Sequence, residues 1–159
     1  MTELGILARR RIEADIIAPI YDELREAVGE EQARTILRKA IRRAAVSAGA
    51  AMAAQSPGGA DLDAFKAVFP LWTKDDALEV EVLRDEPGRF DFNVTRCRYA
   101  ETYRAMGLGS LGDVLSCDRD GAFCEGFDPR IELTRTQTIM GGASHCDFRY
   151  RQRTDEAAD

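Results

Sequence analysis

The chain has 159 residues, of which 45% are hydrophobic and 31% charged, as in an ordinary globular protein. That length predicts a single domain, and the formal net charge of -6 argues against nucleic acid as the main partner. No apolar run reaches the roughly 20 residues that a membrane span needs, and Met1–Gly5 has no signal-peptide character. We therefore expect a cytoplasmic protein whose four cysteines are reduced.

The first predicted helix covers residues 3–28. It has an apolar residue at every fourth position from Leu4 to Val28, which is the spacing of one helix face. Pro19 is expected to kink or split this helix, and Gly29 to end it.

The second and third helices are predicted at residues 30–54 and 61–69. The second helix has an unbroken apolar stripe, and its alanine-rich later part allows another helix to approach closely. Such a surface is also compatible with a homodimer. Asp61 is placed to cap the third helix, and Pro70 to stop it.

Two hairpins with helices between them are predicted next. Alternating apolar residues indicate strands at 78–82 and 90–94, with their even-numbered side chains inward and a turn at 85–88. Helical pieces follow at 98–106 and 111–122. A second hairpin has strands at 131–139 and 145–151, which are joined by Gly141-Gly142.

This order predicts an α+β domain in which N-terminal helices pack on an antiparallel sheet built from the two hairpins. Residues 1–152 form the domain, with a helical scaffold at 1–55 and the sheet and site region at 78–151. The remaining residues, 153–159, are expected to be a flexible acidic tail.

Two polar residues interrupt the predicted apolar faces. Asp118 falls within the stripe of the helix at 111–122, which suits either a hydrogen-bonded structural role or acid–base work. Arg135 shares a strand face with Ile131 and Leu133, so it points inward and needs an anion. That anion is either an internal acid, such as Asp118 or Glu125, or the carboxylate of a ligand.

All four cysteines and the only histidine lie in the last 63 residues, which suggests a site there. Cys97 follows the first hairpin, where Thr95 can cap a helix and the helix start can lower a thiol pKa. Cys146 shares an inward strand face with aromatic residues, which leaves His145 at the pocket rim or on the surface. Cys117 lies beside an apolar stripe, and Cys124 is interpreted as packing.

A zinc site is the alternative use of these thiols. Cys97, Cys117 and Cys146 would supply three ligands, with water or His145 as the fourth. No C-x-x-C pair, the usual mark of a structural zinc site, is present.

Four segments resemble the L-2-amino-thiazoline-4-carboxylic acid hydrolase family. They are residues 92–99, 115–120, 131–140 and 142–148, and the similarity extends over about residues 35 to 151. The resemblance implies hydrolytic opening of a small cyclic amidine that bears a carboxylate. The family's reaction converts 2-aminothiazoline-4-carboxylate to N-carbamoylcysteine.

The resemblance also implies roles for individual residues. Arg135 would clamp the carboxylate, and Asp118 with Glu125 would act as general base on water. Alternatively, a cysteine thiolate assisted by Asp118 would attack the amidine carbon, and this hydrolysis would require no cofactor. The implied catalytic set is Cys97, Cys117, Asp118 and Cys146, and the implied substrate-binding set is Arg135, Glu125, Tyr99 and His145. A looser similarity to small-ligand-binding domains of the 4-vinyl-reductase type implies a non-catalytic ligand- or metal-binding sensor instead.

Overall fold

The computed structural model describes residues 4–154 and begins with two long helices. These are α1 (Ile6–Val28) and α2 (Glu30–Ala53), which confirms both predictions. Gly29 joins them with φ at 87°, a backbone conformation that glycine adopts easily. Pro19 lies inside α1 without splitting it. No helix among the described residues is long and apolar enough to cross a membrane.

Two short helices lead from α2 to the sheet. The first is α3 (Leu62–Val68), and the carboxylate of Asp61 caps it by accepting a hydrogen bond from the Ala64 backbone at 2.8 Å. Pro70 stops this helix but also begins α4 (Pro70–Thr73), because proline suits the first position of a helix. A 3-10 turn, Lys74–Asp76, follows.

The sheet has four antiparallel strands in the order β1-β2-β4-β3. They are β1 (Leu78–Glu86), β2 (Arg89–Cys97), β3 (Ile131–Thr134) and β4 (Cys146–Gln152). The two predicted hairpins therefore lie side by side, and the α+β fold is confirmed.

The predicted inward face of the first hairpin is confirmed on β2 but not along all of β1. Phe90, Phe92 and Val94 are buried, whereas Val82 is 54% exposed. Val82 pairs with Phe92 and shares its face, so its exposure reflects the position of β1 at the edge of the sheet. Asp91 is also buried, although its odd-numbered position predicts exposure.

The helical region between the hairpins is more broken than predicted. It contains α5 (Arg98–Ala105), a 3-10 turn (Gly109–Leu111), a π-helical turn (Asp113–Cys117) and α6 (Arg119–Phe127). The single predicted helix at 111–122 is therefore wrong.

The second hairpin is also shorter than predicted. Strand β3 ends at Thr134, and residues 135–145 form an irregular segment before β4. The turn at Gly141-Gly142 lies within that segment. Of the predicted acidic tail, all but Arg153 and Thr154 lies outside the described residues.

The helix that approaches the alanine-rich part of α2 is α6. A β-carbon built at Gly126 would lie 1.9 Å from the Val46 carbonyl oxygen, and one at Gly49 would lie 2.1 Å from the Phe123 carbonyl oxygen. One face of this part of α2 is therefore occupied by α6 within the chain.

Two apolar clusters make up the core. One lies among α1, α2, α5 and the π-helical turn, and the other lies between the sheet, α3 and α6. Trp72, Leu78 and Cys97 contact both clusters. A cavity opens at this junction.

Candidate functional site

Three of the four cysteines line one cavity. Its lining includes Cys97 at the end of β2, Cys117 in the π-helical turn and Cys146 at the start of β4. The cavity has about 770 Å³ of empty space, counted with the open solvent at its mouth. Side chains that are far apart in the sequence therefore share one compartment.

Eight aromatic residues line the cavity. The rings of Phe92 and Phe148 stack with their centroids 4.8 Å apart, and Trp72 packs edge-on to Phe123 at 5.1 Å. Flat ring faces of this kind suit a planar ligand. The aromatic residues lining the cavity are Phe65, Phe69, Trp72, Phe92, Tyr99, Phe123, Phe148 and Tyr150.

An ion pair between Arg135 and Asp120 lies in the cavity wall. Arg135 donates hydrogen bonds to Asp120 Oδ2 at 2.7 Å and to the Cys117 carbonyl at 3.1 Å, and its guanidinium lies over the Phe148 ring. Burial raises the pKa of the Asp120 carboxyl, while the Arg135 charge opposes that rise. The internal anion of Arg135 is thus Asp120, and neither Asp118 nor Glu125 has that position.

Asp118 and Glu125 both lie outside the cavity. The Asp118 side chain is 40% exposed and accepts a hydrogen bond from Arg38, and Glu125 pairs with Arg42, also on α2. The expected inward position of Asp118 is wrong, because the π-helical turn places one extra residue in that turn. The Asp118 amide donates to the carbonyl of Asp113, five residues earlier, at 2.8 Å.

The same turn brings Arg119 to the cavity, where it meets Arg10. Both guanidinium groups bond to a single oxygen of Glu13, at 2.9 Å from Arg10 and 3.3 Å from Arg119. Their side chains are only 11% and 9% exposed. Burial, together with the Arg10 charge, lowers the pKa of Arg119 to about 10. Two cations thus share one anion, which leaves a net positive charge at this end.

The sequence did not predict that Arg10, Arg119 and Asp120 line the cavity. Arg10 belongs to a run of three arginines, residues 9–11, and such a run of charges predicts a solvated helix face. Its position was nevertheless detectable, since Arg10 is four residues from both Ile6 and Ala14, which are buried on one face of α1. No sequence signal marked the π-helical turn that brings in Arg119 and Asp120.

The thiols of the cavity have raised pKa values. Cys97 itself is the N-cap of α5, and its Sγ accepts a hydrogen bond from the Ala100 amide at 3.4 Å. Burial nevertheless raises the pKa of Cys97 to about 11, because desolvation outweighs that bond. The expected thiolate at Cys97 is therefore wrong, as is the expected cap by Thr95, whose hydroxyl bonds to the Glu79 carbonyl.

Cys117 and Cys146 behave in the same way. Burial raises both of their pKa values, although Cys146 Sγ accepts a hydrogen bond from the Ile139 amide at 3.2 Å. Cys124 is buried outside the cavity lining and serves as packing. The cavity thiols are thus neutral near pH 7.

The expected zinc set is not assembled. Among residues 4–154, no group of three or more histidine, cysteine, aspartate or glutamate side chains could hold a metal ion. Cys97, Cys117 and Cys146 line the cavity without forming such a group. His145 lies outside the lining, where its ring contacts Ser144 and Gln137.

Tyr99 lies in the cavity wall, where its hydroxyl takes part in a hydrogen bond between neighbouring helices. Its hydroxyl donates to the Trp72 carbonyl at 2.9 Å, and burial raises its pKa above the ordinary value. Nearby, the hydroxyls of Tyr103 and Ser116 are 2.6 Å apart. These contacts fix the ends of α4, α5 and the π-helical turn around the cavity.

Comparison with solved structures gives a similar fold. The phenol-responsive sensory domain of the transcription activator PoxR, crystallised with phenol, matches with a TM-score of 0.52 and 16% identity. The match covers 96% of this chain and 76% of that one. At this identity the likeness shows a shared fold.

Comparison of the sequence itself gives a family. No curated protein matches the chain. A family model described as L-2-amino-thiazoline-4-carboxylic acid hydrolase matches residues 9–150, which is most of the sequence. The chain therefore belongs to the L-2-amino-thiazoline-4-carboxylic acid hydrolase family.

Proposed function

We propose that this protein hydrolyses a small carboxylated ring compound, a cyclic amidine or amide similar to 2-aminothiazoline-4-carboxylate. The observation that carries the proposal is the composition of one cavity. It combines a planar aromatic wall, an acid of raised pKa at Asp120 and a net positive end at Arg10 and Arg119. These features match the ring, the scissile bond and the carboxylate of such a substrate.

The positive end is the proposed carboxylate site. Arg10 and Arg119 share Glu13, so one positive charge lacks a counterion within this group. A buried charge of this kind favours an anionic ligand, and guanidinium groups bind carboxylates well. Arg135 is already paired with Asp120, so in this proposal it positions the acid and leaves substrate binding to Arg10 and Arg119.

Asp120 is the proposed general base. Water adds to the amidine carbon while Asp120 accepts its proton, and that proton then passes to the ring atom that leaves as the ring bond breaks. One water is consumed per turnover. The thiols of Cys97, Cys117 and Cys146 are neutral near pH 7, so a covalent route needs Asp120 to remove a thiol proton first. Direct water addition is the simpler route.

A second candidate function is non-catalytic binding of a small aromatic molecule. It is favoured by the apolar wall and by similarity in fold to a phenol-responsive sensory domain. In that case the cavity would bind its ligand saturably and release it unchanged.

Mass spectrometry together with calorimetry separates the two candidates. Purified protein is incubated with a panel of cyclic amidine carboxylates, the matching carboxamides and simple phenols. A product heavier than its substrate by one water supports hydrolysis. Saturable binding without product for every compound contradicts hydrolysis and supports the sensor function.

Two variants test the assigned roles. Arg10→Gln is expected to weaken binding of carboxylates by roughly 10- to 100-fold and to leave binding of the carboxamides nearly unchanged. Arg11→Gln is the matched control, since Arg11 is the exposed neighbour on the same helix. Asp120→Asn should retain binding but lose turnover. Equal loss for carboxylates and carboxamides in Arg10→Gln would remove this residue from the carboxylate site.

A further inference from the structure

An exposed row of isoleucines runs along the outer face of α1. Ile12 and Ile16 are each 61% exposed and Ile20 is 51% exposed. The residues succeed one another at intervals of four, so they form one ridge on the helix. Large apolar side chains exposed in a contiguous row typically mark an interaction surface.

This ridge is symmetric about Ile16. Ile12 and Ile20 lie four residues to either side of it and are similarly exposed. A second copy of α1 running in the opposite direction would place Ile12 opposite the partner's Ile20 and Ile16 against its own counterpart. Such self-matching is the defining property of a two-fold symmetric interface.

The charged residues on this face have the same symmetry with opposite signs. Arg9 and Glu23 are both exposed and each lies seven residues from Ile16, which is about two helical turns. Within residues 4–154 neither side chain forms an ion pair. An antiparallel second copy would bring Arg9 to Glu23 of the partner subunit, whereas a parallel copy would bring like charges together.

From these observations we propose that α1 forms an antiparallel homodimer that crosses at Ile16. The opposite face of α1 is occupied within the chain, because Ile6, Ala14 and Tyr21 are buried and Arg10 reaches the cavity. The dimer interface therefore lies on the back of a helix that also forms the cavity wall. This inference does not depend on the proposed hydrolase function.

Sedimentation velocity across a micromolar concentration series tests the dimer. The full chain is expected to sediment as a dimer, and Ile16→Glu as a folded monomer, because it places two like charges at the symmetry axis. Val82→Glu is the matched control, since Val82 is similarly exposed on β1, and it should remain dimeric. A monomeric wild-type chain, or a dimeric Ile16→Glu variant, would overturn the proposal.

A charge exchange tests the antiparallel direction. Arg9→Glu and Glu23→Arg should each weaken dimerisation by about 10-fold, because each change creates two like-charge contacts across the interface. The double variant restores opposite charges at both contacts and should recover wild-type affinity. Additive weakening in the double variant would contradict antiparallel pairing.

Cysteine cross-linking tests where the helices cross. Ile16→Cys should form a disulfide-linked dimer under mild oxidation, because the two copies of residue 16 meet at the axis. Ile12→Cys should not, since its two copies would lie about 12 Å apart along the helices, beyond disulfide reach. Stronger cross-linking at residue 12 than at residue 16 would contradict this crossing point.

Discussion

Asp120 accepts a hydrogen bond from Arg135 at 2.7 Å in the cavity wall. Asp118, two residues earlier, faces solvent instead and pairs with Arg38. Asp120→Asn should leave the largely buried Arg135 charge uncompensated and lower the free energy of unfolding by about 1–3 kcal/mol. Asp118→Asn breaks an exposed pair and should cost less than about 1 kcal/mol. Urea denaturation of both variants measures the difference, and equal losses would contradict this assignment.

The close contact of α6 with α2 depends on Gly126. A β-carbon there would lie 1.9 Å from the Val46 carbonyl oxygen, so Gly126→Ala must push the two helices apart. We expect a loss of about 1–3 kcal/mol in the free energy of unfolding. Gly121 is a matched control on the same helix, because a β-carbon there meets nothing within 4 Å. Gly121→Ala should be neutral or stabilising, and a neutral Gly126→Ala would show that the helices are not so tightly packed.

The buried thiols predict a loss of stability at alkaline pH. The pKa of Cys97 is about 11 in the folded protein and 9.0 ordinarily, so the folded state retains its proton more tightly than the unfolded state. The resulting stabilisation is fully present below pH 9 and is lost as pH rises toward 11. Thermal unfolding midpoints at pH 8 and 10 measure this loss, which Cys97→Ser should reduce. An unchanged decline in that variant would assign the loss to other groups.

Asp91 predicts a loss of stability at acid pH. Burial acts to raise the pKa of Asp91, but hydrogen bonds from Arg151 and Arg89 lower it overall from 3.8. Its contribution is therefore present above that pH and is lost as pH falls through the lower folded-state value. Asp91→Asn should flatten the decline of unfolding free energy between pH 5 and pH 2. Glu81→Gln, at an exposed position on β1, is the control and should leave the decline unchanged.

The parts of the fold that follow one regular period were predictable from the sequence. The helices α1 and α2 have long apolar stripes of helical spacing, and β2 alternates strictly from Phe90 to Val94. The buried face follows the pattern on α2 and β2, because burial of apolar surface is the dominant stabilising term. On α1 the pattern predicted the helix but not its buried face, since Ile12, Ile16 and Ile20 of the predicted stripe are exposed. The position of Cys146 in the cavity wall agrees with the same strand alternation.

The parts of the fold in which a helix departs from its regular repeat, or in which burial sets the chemistry of a side chain, were not predictable from the sequence. An uninterrupted α-helix would point Asp118 inward, but the π-helical turn moves it outward and brings Asp120 in. The run of three arginines predicts a solvated helix face, although the Arg10 side chain is only 11% exposed. The pKa of Cys97 depends on how far the surrounding core desolvates the thiol, which the position at a helix start does not reveal.

The π-helical turn at Asp113–Cys117 also bears on how relatives of this protein should be compared. A relative that keeps every residue of this segment but forms an ordinary α-helical turn would have the later residues rotated by about 100°, so its cavity would present different side chains. A relative with one residue fewer and no π-helical turn would keep the later residues in the same phase, because the π-helical turn absorbs one extra residue. Relatives should therefore be compared by helical phase across this segment, since an offset of one residue decides which acid faces the cavity.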